Sequence, residues 1–244
     1  MKQYEAVIKV MEENGGYATL GHLYQNALKI EGCKWATKTP FASIRRIVQD
    51  QRYFFKIRPG LWALNSYKHK LPPEIFPPEK QPKEKQDENS HTYYQGLVVE
   101  IGNLKSFHTT VPSQDKNKTF LGKKLGEIAQ MADMPPFGYE HIVHTARTVD
   151  VVWFNDRYMP NSFFEVEHST DFRGALIKFV ELQDYHANFR VIADDHRKKE
   201  FQAKISAAAF RPISHRVKFW SYDSLADYHS KIVALAAAEV NIPF

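Results

Sequence analysis

Thr148-Val149-Asp150-Val151-Val152-Trp153-Phe154 runs through the polar stretch Asn155-Asp156-Arg157-Tyr158-Met159-Pro160-Asn161 into Ser162-Phe163-Phe164-Glu165-Val166-Glu167-His168. The outer segments are rich in β-branched and aromatic residues and read as strands; the middle reads as a turn. Side chains two apart on a strand share a face, so Glu165 and Glu167 project together, with Val166 opposite. Asp150 stands near the start of the neighbouring strand. Three carboxylates on adjoining strand ends are costly unless a cation neutralises them, and hard divalent ions such as Mg²⁺ seek such oxygen ligands. The alternative is a solvated edge strand carrying Glu165 and Glu167, with Asp150 capping a turn.

Downstream, the pattern predicts helices over 171–185, 197–209 and 224–240, with strands over 189–193 and 216–220 between them. Upstream, 119–131 reads as a helix, and 96–101 as either strand or helix. Hairpin strands followed by alternating helix and strand give a mixed sheet flanked by helices, an α/β (α+β) fold.

The chain has 244 residues, 43% hydrophobic and 25% charged, ordinary globular usage that argues against a mainly disordered, collagenous or coiled-coil protein. No stretch nears the roughly 18 apolar residues of a membrane span. The N-terminus has acids in its first turns and lacks a signal-peptide core. Cys33 is the single cysteine, so neither an internal disulfide nor a cysteine-rich metal site is available. A cytoplasmic setting is expected.

Charge is uneven. Residues 1–70 hold 12 Lys/Arg and 5 Asp/Glu, residues 71–90 hold 3 and 5, and residues 91–244 hold 18 of each. A small basic domain beside a neutral one suggests a reader of polyanions. Residues 71–90 carry five of the 13 prolines and few large apolar side chains, the composition of a linker. The expected organisation is therefore a first domain over 1–70, a Pro-rich charged linker over 71–90 and a second domain over 91–244.

Within the first domain, Tyr4, Val7, Ile8 and Met11 have helical spacing and Gly15-Gly16 stops that helix. Thr19 caps a second helix, and Thr39-Pro40 opens a third that buries Phe41, Ile44, Ile47 and Val48. Tyr53–Ile57 and Leu61–Leu64 read as two strands joined at Arg58-Pro59-Gly60. Three helices and a hairpin make a winged-helix arrangement. Outward residues of its third helix include Lys38, Ser43, Arg45, Arg46 and Gln49, with Lys56 and Arg58 on the wing. In a domain that resembles a DNA-binding helix-turn-helix module, such residues would meet phosphates and base edges of double-stranded DNA. The alternative for Arg45 and Arg46 is a solvated helix face.

Residues 1–68, with the ending Phe54-Phe55-Lys56-Ile57-Arg58-Pro59-Gly60-Leu61-Trp62-Ala63-Leu64, resemble the HARE-type helix-turn-helix domain, a module that also serves protein docking. Residues 95–230 resemble the PD-(D/E)XK, restriction-endonuclease-like nucleases. Asp150 matches that family's first acid and Glu165 its second, while Glu167 replaces the usual lysine in a Glu-X-Glu variant. The string Phe164-Glu165-Val166-Glu167-His168-Ser169-Thr170-Asp171, followed by Gly174-Ala175-Leu176, is similar to a bacterial subgroup of these proteins. The resemblance implies a Mg²⁺-dependent restriction-type DNA endonuclease, with Mn²⁺ as a substitute metal and a homodimer to cut both strands. Asp150 and Glu165 would hold the ion, joined by the Val166 carbonyl. Glu167 would act as general base or bind a second ion.

A non-enzymatic DNA-binding regulator with a decayed nuclease fold is the alternative that Glu167 keeps open, and a protein-docking module is a third. Glu127 and Glu140 are candidates for a fourth acid or for a surface role, with the surface favoured, and His168 for a phosphate contact or a structural role. Lys123-Lys124 and Arg197-Lys198-Lys199 are charge runs that would meet a DNA backbone or remain solvated. His141 and His144 lack zinc-site spacing beside an acid and are assigned to a strand or loop. No glycine-rich phosphate loop is present, so no nucleotide cofactor is expected.

Overall fold

The computed structural model describes residues 1–78 and 81–239. Val240, the last residue of the expected terminal helix, and residues 79 and 80 of the expected linker lie outside that range. The chain forms two compact units: residues 1–81 with 226–244, and residues 82–225.

The first unit begins with helix α1 (Gln3–Glu13), strand β1 (Tyr17–Thr19), and helices α2 (Leu20–Asn26) and α3 (Pro40–Ile47). The hairpin β2 (Phe54–Arg58) and β3 (Leu61–Leu64) completes an antiparallel three-stranded sheet ordered β1-β3-β2. The Thr19 hydroxyl accepts from the His22 amide, which caps α2 as the sequence predicts. Pro40 occupies the first turn of α3, and Ile44 and Val48 are fully buried beside Met11, Leu23 and Phe54. Gly15 and Gly16 have φ of +79° and +91°, left-handed geometry that ends α1 where glycine is cheapest.

The second unit opens with the long helix α4 (Lys83–Leu104). There follow β4 (His108–Thr110), a small hairpin of β5 (Thr119–Phe120) and β6 (Lys123–Lys124), and the short helices α5 (Leu125–Ile128) and α6 (Glu140–Ala146). Then come β7 (Val151–Phe154), β8 (Pro160–Val166), α7 (Arg173–Glu181), β9 (Asn188–Ala193), α8 (Lys198–Ile205) and β10 (Val217–Ser221). The terminal helix α9 (Tyr222–Glu239) starts here, but from Ala226 onward it belongs to the first unit.

The main sheet is ordered β10-β9-β8-β7-β4. β10, β9 and β8 run parallel, with α7 and α8 as the connections, while β7 and β4 are antiparallel. This is the mixed α+β architecture expected from the sequence. Phe154, Phe163, Phe179 and Phe189 are fully buried in its core. β7 is buried along its whole length, which explains its unbroken apolar sequence.

Several local readings change. Residues 83–90 are the first two turns of α4 and not linker, because Lys-Glu-Lys-Gln-Asp-Glu is rich in strong helix formers and follows a proline at the cap. The expected helix over 119–131 is reduced to the single turn of α5. Leu121 and Gly122 have φ of +48° and +85° and make a tight hairpin turn there instead. Residues 96–101 are helical, and His141 and His144 lie on α6 and not on a strand or loop. The second compact unit starts at Pro82 and ends at Leu225, where the sequence suggests 91 and 244.

Candidate active site

Asp150, Glu165, Val166 and Glu167 line one pocket of about 370 Å³ in the second unit. The pairing of β7 with β8 sets this up: Val151 stands opposite Phe164, so Asp150 at the start of one strand meets Glu165 at the end of the other. Glu165 and Glu167 are only 3% and 7% exposed, which rules out the solvated edge strand. Asp150 does not merely cap a turn. Its Oδ2 accepts from the Val166 amide at 2.7 Å and faces His91 Nε2 at 3.1 Å.

Burial presses each carboxyl toward its neutral form, and the three respond differently. Glu165 is pushed well above the usual carboxylate range by desolvation and by the charge of Asp150, against the opposing pull of Lys178. Glu167 is raised by burial and by Asp150, although the Thr170 hydroxyl donates a hydrogen bond to it. Asp150 is also disfavoured by burial, but His91 and the Val166 amide outweigh this and hold it below its ordinary value.

Lys178 is the residue the sequence reading missed. From α7 its Nζ donates to Oε1 and Oε2 of Glu165 at 2.9 and 3.0 Å, and to the Thr148 carbonyl at 2.7 Å. Burial would lower its pKa, yet the attraction of Glu165 raises it, so the ammonium stays charged. Its signal in the sequence was one lysine inside the apolar run Ala175-Leu176-Ile177-Lys178-Phe179-Val180, 13 residues past Glu165.

His91 was missed as well. It sits on α4 just past residues read as linker, and the same helix brings Asp87 and Glu88 to the pocket. His168 is held at both ring nitrogens, by Asp87 at 3.2 Å and the Tyr222 hydroxyl at 3.1 Å, which favours its structural role.

Arg197 is not free for a DNA backbone. It is buried, pairs with Glu200, and donates to the carbonyls of Glu167, His168 and Thr170. It thereby braces the loop that carries Glu167. Lys123, Lys124, Lys198 and Lys199 are exposed, as are Glu127 and Glu140.

The donor set suits a hard divalent cation: buried carboxylates that repel one another, with strand-end backbone beside them. As they stand, Lys178 and His91 satisfy Glu165 and Asp150. Among the described residues no group of three or more His, Cys, Asp or Glu is arranged to hold a metal ion.

In the first unit the expected DNA-facing residues divide. Lys38, Arg46, Gln49 and Lys56 are exposed, and Ser43 is half-buried. Arg45 turns away to Asp227 at 3.0 Å and to the Tyr24 hydroxyl at 3.4 Å. Arg58 donates to the Ile75 carbonyl at 3.2 Å.

A family model for the C-terminal domain of the type II restriction enzyme NmeDI matches residues 70–239. The chain belongs to this family. It is 24% identical over 151 residues to the type II restriction enzyme NmeDI of Neisseria meningitidis serogroup C, covering 57% of this chain and 42% of that protein. The chain thus aligns with less than half the length of this relative. No solved structure matches. The family match takes in the whole sheet and the pocket of Asp150, Glu165 and Glu167, and it stops short of the basic N-terminal helices and hairpin. Among the described residues no helix is long and apolar enough to cross a membrane.

Proposed function

We propose that this chain is a restriction-type DNA endonuclease of the PD-(D/E)XK kind, in which Asp150 and Glu165 hold a Mg²⁺ ion. The observation that carries the reading is the meeting of the Asp150, Glu165 and Glu167 carboxylates in a single pocket, with the Lys178 ammonium bonded to Glu165, on a chain of a restriction-enzyme family. Mn²⁺ would substitute, and the Val166 carbonyl would complete the protein ligands. A bound divalent cation supplies polarisation of the phosphate and a water of lowered pKa.

The protein groups divide the remaining work. Lys178 stays protonated and holds both oxygens of Glu165, so it orients that carboxylate and does not serve as the base. It thereby brings the ammonium that the resemblance expects at position 167. Glu167 has a raised proton affinity and a second carboxylate oxygen besides the one that Thr170 engages, so it takes the proton of the attacking water. The basic three-helix unit, read as a HARE-type winged helix, would anchor duplex DNA, and a homodimer would cut both strands. No nucleotide cofactor takes part.

The test is incubation of modified and unmodified plasmid and genomic DNA with Mg²⁺ or Mn²⁺. Cleavage by the parent chain, lost in Asp150→Ala and Glu165→Ala while DNA binding persists, supports the reading. Cleavage retained in both variants refutes the site. The second reading, a DNA-binding regulator with a decayed nuclease fold, is favoured by Glu167 in place of lysine and by the capping of Asp150 and Glu165 by His91 and Lys178. It predicts DNA binding without nicking on every DNA source.

A further inference from the structure

A second pocket, of about 160 Å³, opens at the end of the edge strand β4 and is lined by Thr110, Ser113, Lys116, Asp133, Met134 and Arg147 among others. We propose that it receives a phosphate group, and, resting on the DNA-cleaving reading, that this is a backbone phosphate flanking the one to be cut.

Four of the eight lining residues, Thr110, Ser113, Lys116 and Arg147, carry side-chain donors. Arg147 is exposed, and its guanidinium makes no ion pair or hydrogen bond among the described residues. Lys116 Nζ lies 3.3 Å from Asp133, whose side chain is 92% exposed. An ion pair so open to water holds its partners weakly, so the ammonium can turn to a better anion. Ser113 is exposed beside them.

Thr110 supplies the independent observation. The residue is 3% exposed, and its hydroxyl is buried with no hydrogen-bond partner. Buried polar groups without partners are uncommon and point to a missing one. Two cations against one carboxylate, with two hydroxyls, select an anion over a neutral or cationic guest. The forked guanidinium and the point charge of lysine together suit the oxygens of a phosphate.

The pocket also lies on the same end of the sheet as the carboxylates. Thr110 pairs with Val152, two residues along β7 from Asp150. Arg147 precedes Asp150 by three positions in the sequence. Gln95 ties the two regions together: its Nε2 donates to the Asp150 carbonyl at 2.8 Å and to Asp115, the neighbour of Lys116, at 3.0 Å.

The test uses Arg147→Ala, Lys116→Ala and Thr110→Val in the full chain, each checked by thermal melting. Binding of inorganic phosphate is followed by ³¹P line broadening. Duplex DNA affinity is followed against salt in an Asp150→Ala background, which prevents cutting. We expect phosphate binding to weaken about tenfold in the Arg147 and Lys116 variants. The slope of log Kd against log salt should fall by about 0.9, the share of one neutralised phosphate.

Loss of both signals supports the pocket with DNA as its source. Loss of inorganic phosphate binding with an unchanged duplex slope keeps the pocket and assigns it a free anion. Phosphate binding at the pocket by a chain that binds no duplex also keeps it, while the DNA reading fails. Unchanged phosphate and duplex binding in all three variants, or no phosphate binding together with an unchanged slope, overturns it.

Discussion

Glu167 is raised by burial, so the folded chain binds its proton more tightly than the unfolded chain does. The stability such a group contributes is present below its unfolded pKa and is lost as pH rises through its folded pKa. Above its folded pKa the charged carboxylate is therefore a cost to the fold, carried for chemistry. Glu167→Gln should raise Tm by a few degrees, since about 1 kcal/mol moves a chain of this size by about 2–4 °C. On the proposed mechanism, the same variant should lose at least about 100-fold in cleavage rate and the acid limb of its pH profile. Calorimetry and single-turnover kinetics read the two effects; a variant that is both less stable and fully active would remove Glu167 from the base role. Lys178 is the converse case. Lys178→Met leaves Glu165 buried and uncompensated, so both stability and cleavage should drop, by about 3–5 kcal/mol in the first. Lys178→Arg should recover much of the stability and little of the rate, because a planar fork does not reproduce a point charge.

At the scale of elements, α4 brings Asp87, Glu88 and His91 to the pocket, and it does so by passing close to the β5–β6 hairpin and the main sheet. Gly96 and Gly102 make this approach possible: a Cβ at Gly96 would lie 2.2 Å from the Phe120 ring, and one at Gly102 would lie 2.5 Å from Thr109 and 2.6 Å from Trp153. Gly96→Ala gains helix propensity of about 1 kcal/mol but must displace a buried aromatic ring. The net expectation is destabilisation of about 1–3 kcal/mol, read by chemical denaturation, with His91 shifted from Asp150. A variant as stable as the parent would mean that Phe120 yields easily. This element also shows what the sequence can and cannot reveal. β7, β8 and β9 were legible because Val, Ile, Phe and Trp recur in short buried runs bounded by turn residues. α7 was legible from the spacing of Leu176, Phe179 and Val180. The start of α4 was hidden because five prolines dominate the composition of residues 71–90, while the polar helix formers after Pro82 carry no apolar stripe. Asp150, Glu165 and Glu167 could be paired from strand alternation alone. Lys178 and His91 join them only through tertiary packing, which no local pattern encodes.

At the scale of the whole molecule, charge and chemistry are divided between the two units. The first holds 14 Lys/Arg and 9 Asp/Glu, the second 19 of each, so the entire excess of +5 belongs to the unit without the carboxylate pocket. A neutral unit with an acidic pocket has little electrostatic attraction for duplex DNA, and counterion release must then come from the basic unit. Part of that unit's charge is already committed, because Arg45 pairs with Asp227 on α9 and Arg52 with Asp50. Of the cations expected to meet DNA, Lys38, Arg46 and Lys56 are the exposed ones. Replacing these three by alanine should lower the slope of log Kd against log salt by about 0.9 for each phosphate no longer neutralised, weakening binding by a similar factor on every sequence. Tm should hardly change, since exposed side chains contribute little to the fold. Arg45→Ala should behave oppositely, lowering the stability of the first unit by cutting its tie to α9 while leaving the salt slope nearly intact. If the triple variant binds duplex with the parent's affinity and slope, the three-helix unit does not anchor DNA through α3 and the hairpin, and protein docking becomes its better reading.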